Sequence, residues 1–210
     1  MFAEMKKRIE IDLEKEMQAD TEFSYIESVC RERFPEWLKG VDAGIPEAQL
    51  LVGWCLYEGI GVTQNLNEAV IMLRLAAENG LAAAQCSLGD CYAGGKGVAK
   101  DWNEAVKWFA KAADQGFADA QFALGAAYAV GIGVVENWDE AFKWFSLAAE
   151  QGSADGQNSL GICYENGKGI EKNIEKAISC YKSASDQGLV EAIENYARLK
   201  DGIVIKTVES

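Results

Sequence analysis

The chain contains no histidine in its 210 residues. That absence removes the commonest general base, the commonest zinc ligand and every Ser/His or Cys/His nucleophile arrangement together. Long apolar runs are missing too, none approaching the ~18 continuous residues that a membrane-spanning helix requires. The opening residues, MFAEMKKRIEIDLEKEM, mix acids and bases where a secretory signal needs an uncharged apolar core, so a cytoplasmic location is expected. Basic residues are in short supply, 20 Lys and Arg against 33 Asp and Glu for a net charge of −13. A broad nucleic-acid surface is therefore not expected, and a basic partner is favoured over an acidic one.

Six cysteines are present: Cys30, Cys55, Cys86, Cys91, Cys163 and Cys180. Cys55, Cys91 and Cys163 hold one position in three copies of a repeat. Stacked helices there stand ~8–10 Å apart, beyond the ~7 Å limit for disulfide-linked Cα atoms. Cys86 and Cys91 lie on one expected helix, ~7.5 Å apart along its axis, and face different directions. All six are read as free, mostly buried thiols that act as small hydrophobes. No metal site and no cofactor are expected.

The repeat itself is ruled by glycine. Gly53, Gly89, Gly125 and Gly161 recur every 36 residues, and each is followed six and eight residues later by two more glycines. Aligned on that period, the units begin AQLLVGWCLYEGIGV, AQCSLGDCYAGGKGV, AQFALGAAYAVGIGV and GQNSLGICYENGKGI. Small and apolar residues at i, i+4, i+5 and i+8 make one face of a helix. A glycine inside that helix costs about 1 kcal/mol relative to alanine, so its recurrence points to a close helix crossing with no room for a side chain.

The G-x-G pair ends the helix, glycine tolerating the left-handed conformation of a C-terminus. Asn65, Asp101, Asn137 or Asn173 then stands three residues before Glu68, Glu104, Glu140 or Lys176, an N-cap pattern that starts a second helix. In that helix the recurring alanines, with Leu73, Phe109, Phe145 or Tyr181, make the inward stripe. Each unit is a helical hairpin that completes its core only by stacking on neighbours. The expected fold is all-α, a right-handed α/α solenoid of antiparallel helix pairs.

The expected organisation is an amphipathic helical cap over 1–33, a degenerate half repeat over 34–44, and four repeats over 45–80, 81–116, 117–152 and 153–188. A capping helix follows over 189–200 and a tail over 201–210. Phe2, Met5, Ile9, Leu13 and Met17 keep helical spacing in the first cap, as do Phe23, Ile26 and Cys30. Pro35 suits a first helical position in the half repeat. In the last helix Glu191, Glu194, Arg198 and Lys200 are expected to face outward. The tail GIVIKTVES alternates apolar and polar residues, which leaves strand addition to a partner and disorder both open.

The pattern A-Q-x-x-L-G-x-x-Y-x-x-G-x-G-V, then D/N-x-x-E-A-x-x-W-F-x-x-A-A-x-x-G, resembles the Sel1-like repeat, a relative of the tetratricopeptide repeat, from about Ile45 to Gly188. Leu56 departs from it where the other copies have Tyr92, Tyr128 and Tyr164, and so do Lys176 and Ser185 in the fourth copy. The resemblance implies a binding protein: an adaptor or scaffold, and in some bacterial members a neutraliser of toxins. It brings no catalytic residue, and the chain is not expected to be an enzyme. Secreted cysteine-rich members bridge their helices with disulfides, a pairing the cysteines here do not match.

The four G-x-G-V loops follow helices, not strands, so helix termination accounts for them better than phosphate binding. Trp102 and Trp138, just after the caps, serve either as clamps between successive hairpins or as an aromatic binding stripe. Gln49, Gln85, Gln121 and Gln157 are read as bonding to backbone across the inter-repeat turn. By the tetratricopeptide comparison, residues three before, one after and four after the repeat glycine line a concave groove. The candidates are Leu50, Trp54 and Tyr57; Cys86 and Asp90; Phe122; and Asn158, Ile162 and Glu165. Aromatic anchors among them suit a peptide or protein segment, with Asp90 and Glu165 as acceptors for a basic one. Two functions follow: an adaptor that holds a partner in this groove, or an immunity-type inhibitor that captures a basic toxin. The N-terminal helix is a further candidate to cover the groove.

Overall fold

The structure is a computed structural model that describes the backbone of residues 19–208 and the side chains of residues 27–200. Among the described residues the chain forms ten helices and no strand. They are α1 (Ala19–Asp42), α2 (Pro46–Glu58), α3 (Leu66–Glu78), α4 (Ala82–Gly94), α5 (Trp102–Asp114), α6 (Ala118–Val130), α7 (Trp138–Glu150), α8 (Ala154–Asn166), α9 (Ile174–Ser185) and α10 (Val190–Val208). The helical spacing from Phe2 to Met17 lies outside the described residues. The backbone divides into two compact units at Lys100 and Asp101.

In the first unit, α1 to α4 follow one another as antiparallel neighbours, each packed on the next. The expected break before Pro35 is absent: α1 runs through that proline as one helix. A proline inside a helix costs about 3 kcal/mol by removing one backbone bond and crowding the preceding turn. Packing holds α1 across it. Cys30, before the proline, and Trp37, after it, are both buried in the cluster formed with Val52, Cys55, Leu56 and Ile60. The Cys30 and Cys55 thiols are in hydrogen-bond contact there. Their pairing across α1 and α2 has no counterpart in the repeat pattern.

In the second unit α6 packs on α5 and α7, α8 on α7 and α9, and α10 on α9. Each second helix starts at the residue its sequence marks. Asn137 Oδ1 accepts from the backbone N–H of Asp139 at 3.0 Å and of Glu140 at 3.2 Å. Asp101 does the same for Asn103 and Glu104, while Asn65 and Asn173 each accept one such bond. Helix α10 continues through the expected tail to Val208, so that segment is helical rather than extended.

The repeat glycines mark close crossings. A methyl group at Gly125 would stand 2.8 Å from the Phe145 ring, and one at Gly161 2.7 Å from the Tyr181 ring. The loop glycines do two different jobs. The first of each pair, such as Gly131 at φ 73°, caps its helix in the left-handed region. In the later loops the second abuts the start of the preceding hairpin's second helix, where a side chain at Gly97 or Gly169 would overlap the carbonyl oxygen of Leu66 or Trp138, whereas Gly61 meets the backbone of Cys30 and Arg31 within α1.

Of the four repeat glutamines, Gln85 and Gln121 bond to backbone as read, whereas the side-chain oxygen of buried Gln49 has no such partner and Gln157 pairs with a side chain. Gln85 Nε2 donates to Ala77 O at 3.1 Å and Gln121 Nε2 to Ala113 O at 3.3 Å, tying each first helix to the end of the preceding second helix. Gln151 then donates to Gln121 Oε1, and Gln187 to Gln157 Oε1, one repeat further on. All six cysteines are free thiols.

Candidate functional site

Helix α2 is apolar nearly all round, because it packs on helices to both sides; only a narrow stripe of it meets solvent. Leu50, Trp54 and Tyr57 lie on that stripe, spaced four and three residues apart so that they share a face. Leu50 and Tyr57 are half-buried and Trp54 is 40% exposed. From the neighbouring α4, Asp90 is exposed on the same side, whereas Cys86 is only 6% exposed and belongs to the core rather than to the lining.

Between these helices lies a cavity of about 300 Å³ lined by Trp54, Tyr57, Glu58, Leu73, Ser87 and Asp90. Leu73, on α3, is buried and supplies an apolar floor. Ser87 is turned onto its own helix, its hydroxyl donating to Ala83 O at 2.9 Å. Lys96, from the loop after α4, places its ammonium 5.2 Å from the Tyr57 ring centre. Its bond to the Tyr57 side chain, with Glu58 nearby, holds the Lys96 ammonium above the ordinary lysine range. Glu58, Ser87 and Lys96 were not singled out by the repeat pattern, because their neighbours across the helices come from other copies.

The candidates of the second unit have partners within it. Phe122 is half-buried against Phe145, ring centres 6.1 Å apart, and packs on the cluster of Ala141, Phe145 and Cys163. Asn158 Oδ1 accepts from Asn195 of α10 at 3.2 Å, and Ile162 is half-buried. Glu165 receives both guanidinium nitrogens of Arg198, at 2.6 and 2.8 Å, and the hydroxyl of buried Tyr181 at 2.7 Å. Arg198 stays exposed, as its position on the helix suggested, and from there reaches across to Glu165 of α8. The bonds from Arg198, more than those from Tyr181, hold the Glu165 carboxyl below the ordinary range. It is already engaged as an acceptor.

Trp138 sits as a clamp. Its indole N–H donates to Glu136 at 2.8 Å, and Lys168, one repeat on, places its ammonium 3.9 Å from the ring centre. Among the described residues no group of acidic, cysteine or histidine side chains is arranged to hold a metal ion, and no helix is long and apolar enough to cross a membrane.

The Sel1 repeat family pattern matches residues 46–81, 82–117, 118–153 and 154–189. Among solved structures, a protective antigen of uropathogenic Escherichia coli displaying an SLR fold is 38% identical over 76% of this chain and 34% of its own, with a TM-score of 0.73. The present chain thus spans about a third of that relative. A Sel1 repeat protein from Oxalobacter formigenes is 32% identical over 90% of this chain and 73% of its own, with a TM-score of 0.72. No curated protein matches the sequence. The α/α solenoid with a 36-residue period is the fold of this group, and the chain belongs to the Sel1 repeat family.

Proposed function

We propose that the chain is a non-catalytic adaptor that binds a peptide or protein segment along the exposed stripe of its first helices, with the Trp54 cavity as the anchor point. The observation that carries this reading is Trp54 itself, a large aromatic left 40% exposed beside a concave site. Every other tryptophan in the chain is buried or half-buried. Exposed aromatics beside a cavity are the groups that dominate interface energies. The repeat family implies the same general role. The acidic excess of the chain suits a basic partner, the toxin of an immunity-type inhibitor being one example.

Affinity capture tests it. Trp54→Ala is expected to keep the helical circular dichroism and thermal midpoint of the wild type while reducing capture of the partner by roughly tenfold or more. Capture at wild-type level by a folded Trp54→Ala protein sinks the proposal. Phe122→Ala serves as the contrasting variant: its ring packs on Phe145, so its first effect is expected on stability.

A further inference from the structure

We propose that Cys30 and Cys55 are a reversible cross-link site, forming a disulfide that fastens α1 to α2 when a peroxide or a small disulfide oxidises the chain. The case begins in the register of the repeat. Cys55 holds the position that Cys91 and Cys163 hold in later units. One period after Cys30 the later units carry Leu66, Trp102, Trp138 and Ile174, so a thiol stands at that position in α1 alone. The loop glycines bring the two positions together. Gly97 meets Leu66 and Gly169 meets Trp138, and by the same step Gly61 meets Cys30, its would-be methyl 2.7 Å from Arg31 N and 3.1 Å from Cys30 Cβ. With no side chain at Gly61 the two segments close up here. Cys30 and Cys55, 3% and 0% exposed, share one core cluster, and their thiols are in hydrogen-bond contact.

The pair is chemically unequal. The bond from Cys55 outweighs burial at Cys30 and holds its thiol below the ordinary range, whereas that bond and burial together push Cys55 up. Cys91 and Cys163, governed chiefly by burial, are pushed up to about 11. Cys30 is therefore the attacking sulfur and Cys55 the one that resolves. With hydrogen peroxide, the Cys30 thiolate takes one peroxide oxygen and breaks the O–O bond, leaving a sulfenic acid and, with the Cys30 proton, one water. The Cys55 sulfur then attacks the Cys30 sulfur and displaces hydroxide, which leaves with the Cys55 proton as a second water. The two thiols lose two electrons and the peroxide gains them. The oxidant enters as α1 lifts. From Glu27 to Asp42 only Cys30, Trp37 and Gly40 are buried, so the seat of α1 on α2 is narrow. A bond across it holds α1 down and also constrains the unfolded chain.

The test uses the full reduced chain in native buffer, with hydrogen peroxide and, separately, glutathione disulfide as oxidants. Remaining thiols are blocked in denaturant and the chain is digested with trypsin without reduction; Cys30 and Cys55 each fall alone in their tryptic peptides. Those two peptides are expected to appear joined, two hydrogens lighter than their sum, and to separate with dithiothreitol. The oxidised chain is expected to melt about 6 °C above the reduced one. Under peroxide, Cys55 is expected to stay unoxidised in Cys30→Ser, and Cys30 to stop at the sulfenic acid in Cys55→Ser, where dimedone traps it. If serine at either position unfolds the chain, the wild-type peptide map decides alone. Six free thiols after oxidation, a different pair joined first, or a melting point that is unchanged or lower overturns the inference.

Discussion

A methyl group at Gly161 would stand 2.7 Å from the Tyr181 ring, while one at Gly53 would stand 3.1 Å from the Leu73 side chain and 3.2 Å from Met72 Cβ, within the few tenths of an ångström that neighbours can give. Real Cβ atoms do not tolerate the first distance, so the aromatic ring or a helix must shift. Overpacking of this kind costs about 1–3 kcal/mol, against the gain of about 1 kcal/mol that alanine brings to a helix. Urea unfolding is therefore expected to rank Gly161→Ala and Gly125→Ala as clearly destabilising, and Gly53→Ala as close to neutral. Gly152 is the control for a different cause: nothing lies within 4 Å of its would-be methyl, but its φ is 88°. Gly152→Ala is expected to lose about 1–2 kcal/mol through backbone strain alone. The 36-residue spacing made the crossing glycines legible as close contacts. The second glycine of each loop was legible only as a helix terminator, because its contact is with backbone some thirty residues upstream, and backbone leaves no trace in the pattern of side chains.

Helix α10 shows what periodicity can and cannot reveal about an element. Its existence and the outward side of Arg198 were legible in the sequence, but the pairing with Glu165 was not, because position on a helix says nothing about how far a long side chain reaches. The same gap hid the continuity of α1, where burial of Cys30 and Trp37 outweighs the intrinsic penalty of Pro35. The Glu165 cluster ties α10 to α8 and α9. Removing its carboxylate leaves the Tyr181 hydroxyl, which is fully buried, without its acceptor. Glu165→Ala is expected to cost about 2 kcal/mol at neutral pH, Tyr181→Phe about 1 kcal/mol, and the pair less than the sum because they share one bond. The folded-state value of Glu165 is depressed, so its stabilisation is present above the unfolded value of ~4.3 and is lost as pH falls through the folded value. The difference between wild type and Glu165→Ala is expected to shrink accordingly on acidification, as read by urea midpoints at stepped pH.

Across the whole molecule the same logic separates groups that hold the fold from groups left to meet a partner. The thiols belong to the first class. Cys30, Cys55, Cys86, Cys91 and Cys163 are buried, Cys180 half-buried, and burial pushes Cys91 and Cys163 up to about 11. A thiol reagent at pH 8 is expected to label Cys180 first and slowly in the native chain, and all six at once in denaturant; rapid native labelling of Cys91 or Cys163 would contradict this placement. The charge belongs to the second class. With a net charge of −13, approach of a basic segment gains from the field of the entire chain, whereas its residence depends on the few groups around Trp54. These two contributions separate kinetically. Raising the ionic strength from 50 to 500 mM is expected to slow association by about tenfold with little change in dissociation, since the Debye length contracts well below the size of the molecule. Trp54→Ala is expected to do the reverse, speeding dissociation while leaving association nearly unchanged. Surface plasmon resonance with the captured partner reads both rates, and a Trp54→Ala protein that loses association rate instead would move the recognition away from the cavity and onto the field.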